Sequence, residues 1–541
     1  MPGALKAGGE PRAAARIDPH LRRDASIATL APSLFPAAVA GGLAILAVAA
    51  GWRGSDLAAH LLRMDLVERD GFEVWNNFWY GGHHTAAYGF AFAVLSALVG
   101  IWTVAVASAA LSAFVVDRLI VLATGRRNVW ASLWFAAGTL TNVAIGRLPF
   151  ALGMTFGLLA LLAAHVWRPR WAVVAAIATG LASPVASTFL AVIFTAWAIV
   201  EPHRRRSCCG LAAASLAPVL VVAFLYPQGG TFGFEWPPLL WTVAVCAILV
   251  ALVPPQHNVV RASAVVYAVA AAMTFAVPNP LGSNIVRLGM YAAGPVLLAL
   301  VPARRLVLVA LVPPLLWWQW SPAIDAMTRA GADPSTTEAF YAPLRRFLHS
   351  VDADTERIEV VPTFRHWEAV YVAADLPLAR GWERQLDRRF NPVLYEPGLT
   401  ADEYRAWLLQ AGVRYVALPA AQLDYSGEAE AALLEREQPF LIPVFHSANW
   451  LVWEVVDSTG LVDGAAELIH VGTEVLRVRV LDEGDVVVRV HTSAYWASEP
   501  ALCIEATPDD WIVVRDAKPG VVELFLDETN ILQLDDPCEP P

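Results

Sequence analysis

The stretch IWTVAVASAALSAFVVDRLIVLAT, residues 101–124, decides the fold of this chain, because it is long and apolar enough to cross a lipid bilayer. Other apolar runs of similar character fill residues 33–320 and are separated by short polar loops. About eleven transmembrane helices are therefore predicted. In chain order the runs are 33–51, 101–124, 128–146, 149–167, 171–184, 186–201, 208–226, 237–253, 260–277, 286–302 and 305–320.

Two places leave the number of spans open. The runs 171–184 and 186–201 are split by Pro184 and could form one broken element. The run 88–100 is too short to span and is interpreted as a re-entrant segment. No small-residue cleavage site follows the first run, so 33–51 is expected to be a retained span and not a removed signal peptide.

The distribution of charge divides the chain. It has 541 residues, of which 57% are hydrophobic and 16% charged, and charged residues return at ordinary frequency from Ser321 onward. The predicted parts are a cytoplasmic tail (1–32), a transmembrane domain (33–322) with a first outer loop (52–88), and a water-facing domain (323–541). The net charge of -11 lies mostly in the last part, which has no basic patch with interleaved aromatic residues. Nucleic acid is therefore not an expected partner.

Basic residues in short loops predict the orientation, because Lys and Arg are enriched on the cytoplasmic side of membrane proteins. The N-terminal tail is basic, and alternate loops carry further arginines. These are Arg126, Arg127, Arg168, Arg170, Arg204, Arg205, Arg206, Arg261, Arg304 and Arg305. These basic residues predict a cytoplasmic N-terminus. An odd number of spans then places the C-terminal domain outside. The Arg-rich, Lys-poor composition is typical of a high-GC bacterium, so a bacterial plasma membrane is the expected location.

The C-terminal domain is rich in short β-type runs and alternates apolar and polar residues from about residue 470. This pattern predicts an α/β part followed by a β-sandwich-like part. A helix is expected at 401–411, where Thr400 can cap it. Cys503 and Cys538 could form a disulfide if the domain is extracytoplasmic, which the sequence leaves open. The expected strands are 357–361, 413–418, 451–456, 475–480, 486–490, 511–514 and 521–525.

The loop after the first span, GWRGSDLAAHLLRMDLVERDGFEVWNNFWYGGHHTAAYG (51–89), is the most distinctive stretch. On a helix, Asp56, His60 and Arg63 share one face. Asp56 is the candidate catalytic base at the mouth of an outward cavity, since a carboxylate there can take the proton of an attacking hydroxyl. His60 and Arg63 are candidate substrate contacts. The alternative is that Asp56 caps the helix and pairs with Arg63.

Aromatic residues and histidines follow on the same loop. Trp79 and Tyr80 are residue types that favour the headgroup level of a membrane. His83 and His84 come after a glycine pair that permits a tight turn. All four are candidate substrate-binding residues.

A metal site is a second interpretation of this loop. Asp56, His60 and either His83 or His84 have the ligand types that a divalent ion needs. Such residues in an interfacial loop are often only polar surface groups, so a divalent metal is not favoured and no cofactor is assigned.

Two solitary arginines lie at the predicted outer ends of spans. Arg147 is in GRLPFALG, and Arg287 is in NPLGSNIVRLGM with Asn284 beside it. A charged residue at membrane depth usually faces a cavity or a partner, and arginine suits bidentate contact with phosphate. The interpretation is a clamp for a lipid phosphate, to which Asn284 adds a donor. The alternative is that both arginines reach to the interface as anchors.

Two segments of the C-terminal domain, 363–373 and 378–387, are dense in polar and aromatic residues. They could line a site for an extended glycan or a lipid head, because Trp faces stack on sugars. The alternative is packing and ion pairing at the seam with the membrane domain. The residues concerned are Arg365, His366, Trp367, Glu368, Arg380, Trp382, Glu383 and Arg384.

These features together resemble the GT-C superfamily of polytopic membrane glycosyltransferases, in a bacterial branch. The resemblance lies in an outer loop with an Asp on a helix after the first span, in WNNFWYGGH (75–83), in GRLPFALG (146–153) and in HWEAVYVA and LARGWERQLD of the C-terminal domain. It extends over most of the chain, although no single motif is diagnostic.

The resemblance implies an enzyme that takes a sugar from a polyprenyl-phosphate donor at the outer face and inverts its anomeric configuration. Asp56 would be the general base, and Arg147 and Arg287 would contact the donor phosphate by position. The acceptor would be a cell-envelope glycan or lipid. The loop has no clear Asp-x-Asp, which favours a metal-independent type.

Two other functions compete with this one. A transporter or flippase of an envelope lipid commonly shows paired repeats with matching broken helices, and none is evident. A non-catalytic envelope assembly protein would use the C-terminal domain as a binding module, and it would leave Asp56, Arg147 and Arg287 without a shared cavity.

Overall fold

Apolar helices build the N-terminal part of the chain, as the sequence predicts. The computed structural model describes residues 33–86, 89–227, 229–301, 305–330, 333–527 and 538. The expected cytoplasmic tail, 1–32, and Arg304 lie outside these residues. The helices are α1 (Phe35–Ala49), α2 (Leu57–Asp70), α3 (Phe90–Val99), α4 (Ile101–Thr124), α5 (Val129–Ile145), α6 (Leu148–His165), α7 (Pro169–Ala182), α8 (Pro184–Val200), α9 (Arg205–Leu225), α10 (Trp236–Leu252), α11 (Asn258–Ala276), α12 (Arg287–Leu300) and α13 (Arg305–Ala330).

Each of the predicted apolar runs coincides with one of these helices. Over the described residues, α4, α6, α9, α11, α12 and α13 are long and apolar enough to cross a membrane, counted with their flanking turns. The remaining apolar helices are shorter, with 10–17 residues. A bundle of membrane-spanning helices is therefore present, and the number of eleven spans stays a prediction.

Local sequence explains where the bundle breaks. Pro184 starts α8, and the Ser183 side chain accepts a hydrogen bond from the Ala186 amide at 3.3 Å. The two runs, which the sequence left open as one broken element, are thus two helices, and Ser183 caps the second of them. The short run before α4 forms α3, which lies between the left-handed residues Gly89 and Gly100 and packs against α2.

The C-terminal domain has the two predicted parts. After β1 (Trp75–Asn76) and β2 (His83–His84) of the first loop, its strands are β3 (Arg357–Val360), β4 (Val413–Pro419), β5 (Leu441–His446), β6 (Trp450–Val455), β7 (Val462–Asp463), β8 (Ala466–Val471), β9 (Val475–Val480), β10 (Gly484–His491), β11 (Trp496–Glu499), β12 (Ile504–Ala506), β13 (Trp511–Ala517) and β14 (Gly520–Leu526). In the first part, strands in the order β3-β4-β6-β5 form a mixed sheet in which β3 and β4 are parallel. In the second part, two antiparallel sheets in the orders β12-β13-β10-β7 and β11-β14-β9-β8 enclose a core that includes Leu476, Val488, Ile512 and Leu524.

Short helices complete this domain. The predicted helix at 401–411 is confirmed, and Thr400 and Glu403 form a capping box at its start. A disulfide joins Cys503 to Cys538. The helices are α14 (Glu338–Ser350), α15 (Glu368–Tyr371), α16 (Arg384–Phe390), α17 (Ala401–Gln410) and α18 (Glu428–Leu434).

The C-terminal domain sits on one end of the bundle. We call the boundary between the two the seam. Arg365 Nη1 donates to the Arg53 carbonyl at 2.8 Å, and the Tyr495 hydroxyl donates to the Leu225 carbonyl at 2.8 Å. The seam meets the C-terminal ends of α1 and α9, whereas the arginine-bearing loops after α4, α6 and α8 lie at the other end of the helices. The basic loops and the C-terminal domain are therefore on opposite sides of the bundle.

Candidate functional site

The first outer loop is seated between the bundle and the C-terminal domain. The Asp56 amide donates to the Ile145 carbonyl at 3.1 Å, and Trp382 Nε1 donates to the Ser55 carbonyl at 2.8 Å. Gly54 lies so close to the Ile145 backbone that a Cβ would overlap it. The chain just before α2 is thereby fixed from both sides.

Asp56 meets one of the two solitary arginines. Its Oδ2 lies 3.6 Å from Arg147 Nε, and Ser55 Oγ donates to its Oδ1 at 3.1 Å. Asp56 occupies the N-cap position of α2 but makes no side-chain capping hydrogen bond among the described residues. Arg63 pairs with Glu383 of the C-terminal domain. The contacts expected if Asp56 merely capped its helix and paired with Arg63 are therefore not the ones observed.

The second solitary arginine lies on the helix that reaches the segment of the first. Arg287 Nη2 donates to Asn284 Oδ1 at 2.5 Å. Tyr291, one turn further along α12, donates to Asn142 Oδ1 at 2.6 Å, and the Arg147 amide donates to the Asn142 carbonyl at 2.8 Å. The contacting pairs Asp56–Arg147 and Asn142–Tyr291 are about 90 and 150 residues apart in the sequence, and the fold brings each pair together at the seam end of the bundle.

His60 lies at the edge of this group and is uncharged. Its ring is 5.6 Å from Phe92 and 6.3 Å from Trp382, measured between centroids. Burial, then the charges of Arg63 and Arg287, hold the pKa of His60 well below its ordinary value of 6.5. At neutral pH the imidazole therefore adds no positive charge beside Arg287.

An apolar cavity runs between the helices and ends at Arg287. We call it the helix cavity; its volume is about 260 Å³, and its walls come mainly from α4, α6, α8 and α12. Arg287 is the only charged side chain among the described residues that line it. Along α12 the lining extends from Arg287 to Leu300, so the wall runs from the seam toward the opposite end of the bundle.

A larger cavity of about 550 Å³ lies directly under the C-terminal domain. We call it the seam cavity. Its walls are mostly apolar and come from the seam ends of α7, α8 and α9, and its polar lining includes Asn284, Glu383 and Gln385. Asn284 thus lines the seam cavity while it accepts a hydrogen bond from Arg287 of the helix cavity. Asp56 lines neither cavity. The residue before it, Ser55, accepts a hydrogen bond from Trp382, which precedes Glu383 of the seam cavity in the sequence.

The remaining candidates of the loop are packed within the seam. Strands β1 (Trp75–Asn76) and β2 (His83–His84) form a short antiparallel ribbon. Trp79 stacks on His83 at 5.3 Å and donates to the Ala369 carbonyl at 3.2 Å, and Tyr80 donates to the Glu383 carbonyl at 3.0 Å.

These side chains do not line either cavity. Burial lowers the pKa of His83 to about 3 and that of His84 to about 4. Their observed contacts hold the loop to the C-terminal domain, and their role as substrate contacts stays a prediction.

The suggested metal ligands are not brought together. Within the described ranges, the one group of three ligand-type residues close enough to share an ion is Cys503, Glu505 and Cys538. Its cysteines form the disulfide. Asp56, His60, His83 and His84 do not form such a group.

The candidates in the C-terminal domain form buried ion pairs. Arg380 donates to Asp387 and Ser426. Trp367 stacks on Tyr371 at 5.5 Å, and the guanidinium of Arg53 lies 5.3 Å from the centre of the Trp367 ring. These contacts agree with the alternative of packing at the seam, and the expected glycan site on these residues stays a prediction.

His366 belongs to the same set and is held as a cation. Its Nδ1 lies 3.1 Å from Glu368 and its Nε2 3.6 Å from Asp424. Burial lowers its pKa, but the neighbouring carboxylates of Asp424 and Glu368 outweigh burial and raise the pKa to about 9.

Sequence reasoning missed Asn142 and Tyr291. Each lies in an apolar run that was interpreted only as a membrane span. A usable signal existed, because Tyr291 follows Arg287 by four residues and so lies on the same helix face.

Two solved structures resemble the chain in part. Both are cryo-EM structures of the arabinofuranosyltransferase AftD from Mycobacteria, one of them of a mutant form. The mutant form is 16% identical, covers 79% of this chain and 42% of its own, and has a TM-score of 0.46. The other is 15% identical, covers 80% of this chain and 40% of its own, and has a TM-score of 0.41.

No protein-family model matches the chain, and no curated protein matches it. The chain spans less than half of the length of the AftD chains it resembles, and both TM-scores lie below 0.5. The function proposed below therefore rests on the residues and cavities of this chain.

Proposed function

We propose that this protein is a membrane glycosyltransferase of the GT-C type. It transfers a sugar from a polyprenyl-phosphate donor to a cell-envelope glycan or lipid at the outer face of a bacterial plasma membrane. The observation that carries the proposal is the helix cavity with its single charged residue, Arg287, at the seam end. An apolar channel that ends in one guanidinium suits a long hydrocarbon chain with a phosphate head.

Asp56 and Arg147 lie at the same end of the bundle as Arg287, which supports a reaction at this end of the cavity. Asp56 is partly exposed, with 18% of its side chain accessible, and Arg147 and Ser55 hold its carboxylate in one orientation. We assign it as the general base. We assign the contact with the donor phosphate to Arg287, the charged residue of the described cavity lining, and a supporting role to Arg147 beside Asp56.

The proposed step is a single displacement. The acceptor hydroxyl attacks the anomeric carbon on the side opposite the phosphate, and its proton passes to Asp56. The bond between that carbon and the phosphate oxygen breaks, and its electron pair leaves on the phosphate, whose charge Arg287 stabilises. One displacement inverts the anomeric configuration and releases polyprenyl phosphate.

Two features support an outward orientation. The arginine-rich loops lie at the end of the bundle away from the C-terminal domain, as expected if that end faces the cytoplasm. The Cys503–Cys538 disulfide is the kind of bond that persists in an oxidising compartment. The C-terminal domain and the proposed site would then both face outward.

The test uses membranes from a deletion strain that carry the wild-type or a variant chain, supplied with a panel of radiolabelled polyprenyl-phosphate sugars. Asp56→Ala and Asp56→Asn should lower sugar transfer by about 100-fold or more, the usual contribution of a general base. Asp65→Asn is the matched control, since Asp65 is an exposed carboxylate on the same helix.

The possible results test the base assignment, the proposed function and the metal independence separately. Full transfer by the Asp56→Asn variant would refute the base assignment. No transfer by the wild-type chain from any donor of the panel, with no glycan missing from the deletion strain, would contradict the proposed function. Transfer that persists in EDTA would agree with a metal-independent type, and its loss would overturn that expectation.

A further inference from the structure

The seam cavity differs from the helix cavity in charge. Among the described residues that line it, Glu383 is the only charged one, and it is held by Arg63. The described lining includes no cation, so a phosphate placed there would lack the guanidinium that Arg287 offers in the helix cavity. The cavity that suits an anionic lipid is therefore the helix cavity, and the seam cavity suits an uncharged ligand.

The walls of the seam cavity have a length that suits the apolar part of one lipid leaflet. The lining runs from Pro218 on α9 to Tyr226 just after its end, a rise of about 12 Å along the helix. Half of a bilayer core is about 15 Å thick. Leu220, Val221 and Phe224 on the same stretch of α9 are exposed apolar side chains, as on a helix that faces lipid.

The polar lining of the cavity lies at its seam end. Asn284 and Gln385 carry amide groups that can donate to and accept from hydroxyl groups, as sugar recognition requires. A volume of about 550 Å³ is within the range of ligand-binding cavities. Apolar walls below a polar end whose one charged residue among the described lining, Glu383, is paired with Arg63 fit an amphipathic molecule with a neutral head.

From this geometry we infer that the seam cavity binds the acceptor, and that the acceptor is an uncharged glycolipid. Its hydrocarbon part lies along α8 and α9, and its sugar head lies under Gln385. The hydrogen bond between Asn284 and Arg287 places the polar ends of the two cavities side by side. The inference rests on the proposed function and narrows its acceptor from a glycan or lipid to a neutral lipid.

The test is photolabelling of the full-length protein in nanodiscs with two probes, a diazirine-bearing dialkylglycerol hexoside and a diazirine-bearing polyprenyl phosphate. Mass spectrometry maps the labelled peptides. We expect the hexoside to label residues 218–226 and the polyprenyl phosphate to label residues 287–300. Equal labelling of 218–226 by the two probes, or hexoside labelling elsewhere, would overturn the inference.

A pair of variants sharpens this test. Val222 lines the seam cavity, whereas its neighbour Val221 is 54% exposed and does not line it. Val222→Trp should fill the cavity and lower hexoside labelling about tenfold, while Val221→Trp leaves it within about twofold. Equal labelling of the two variants contradicts the inference. The wild-type map decides the question even if Val222→Trp fails to fold.

Failure of this inference and failure of the proposed function are distinguishable. If the wild-type chain transfers sugar but the hexoside labels no part of the seam cavity, the function stands and the acceptor site is wrong. If the hexoside labels 218–226 but no donor supports transfer, the cavity binds glycolipid and the enzyme proposal falls.

Discussion

Replacing Glu430 with glutamine should stabilise the protein at alkaline pH, because two buried carboxyl groups share one cation that is already paired. Glu430 on α18 and Glu359 on β3 are fully buried. Arg380 Nη1 lies 3.6 Å from Glu430 and 4.0 Å from Glu359. The charge of Arg380 is balanced by Asp387, whose Oδ2 is 2.6 Å from its Nη2. A further negative charge on Glu430 would have to share Arg380 with Asp387, which is unfavourable in a buried site.

Burial raises the pKa of Glu430 from its ordinary value of 4.5 to about 7, although Arg380 and Tyr404 oppose the rise. Burial and the neighbouring Glu430 raise the pKa of Glu359 well above 4.5. Below pH 4.5 Glu430 is protonated in the folded and the unfolded chain alike. Between pH 4.5 and 7 only the folded chain keeps the proton, so the free energy of unfolding falls as pH rises, by about 3 kcal/mol in total.

Glutamine removes this ionisation and keeps the local contact. The Tyr404 hydroxyl donates to Glu430 Oε1 at 2.5 Å, and an amide oxygen can accept in its place. The assay is thermal unfolding of the full-length protein in detergent at pH 5 and pH 8, followed by tryptophan fluorescence. The fall in Tm between the two pH values should be smaller in Glu430→Gln than in the wild type by roughly 5–10 °C.

Glu435→Gln is the control, since Glu435 is exposed at the end of the same helix. Its Tm should follow that of the wild type at both pH values. The reasoning is refuted if Glu430→Gln loses as much stability as the wild type between pH 5 and pH 8. A variant that is less stable than the wild type at pH 8 would show that Glu430 is ionised and is a favourable partner of Arg380.

The remaining predictions concern the same domain. His366→Gln should lower the unfolding free energy by about 3 kcal/mol more at pH 6 than at pH 10, measured by denaturant unfolding. The reason is that contacts with Asp424 and Glu368 raise the His366 pKa to about 9, so its contribution is complete below pH 6.5 and is lost as pH rises through 9. Cys503→Ser should cost about 4 kcal/mol, because the bond to Cys538 closes a loop of 35 residues. Dithiothreitol should lower the Tm of the wild type but not that of the variant, and an unchanged wild-type Tm would contradict this.

The sequence predicted elements well where local chemistry decides them. The helix after Thr400 was expected because Thr is a favoured cap, and it forms there with a capping box between Thr400 and Glu403. Strand alternation near residue 475 predicted the sandwich because one face of each strand must be buried. These features depend on neighbours in the chain.

The partners of the charged residues could not be predicted in the same way. Helix spacing brings Asp56 and Arg63 to one face, which made them an apparent pair. In the fold, Arg63 pairs with Glu383 and Asp56 contacts Arg147, residues that are 320 and 91 positions away. Helical spacing shows which side chains can meet within one helix, but tertiary packing decides which of them do.

The aromatic loop posed a different difficulty. Tryptophan, tyrosine and histidine are the residue types of a membrane interface, and they are equally the types that fill a boundary between two domains. Trp79 and His83 stack in the seam and are almost fully buried, which headgroup-level residues would not be. Composition alone cannot distinguish a membrane interface from a domain boundary, because both surround an aromatic ring with apolar groups and place polar groups at its edge.

The way the first loop is held bears on what the C-terminal domain does. Arg365 donates a hydrogen bond to the Arg53 carbonyl and Trp382 donates one to the Ser55 carbonyl. The C-terminal domain therefore holds the chain just before Asp56 at two positions. The Asp56 amide is bonded to the Ile145 carbonyl of the bundle. A binding module on a flexible tether would have no need of such contacts next to the candidate base. The position of Asp56 therefore depends on the C-terminal domain and the bundle together, which is what an active site built at their boundary requires and what a separable scaffold module does not.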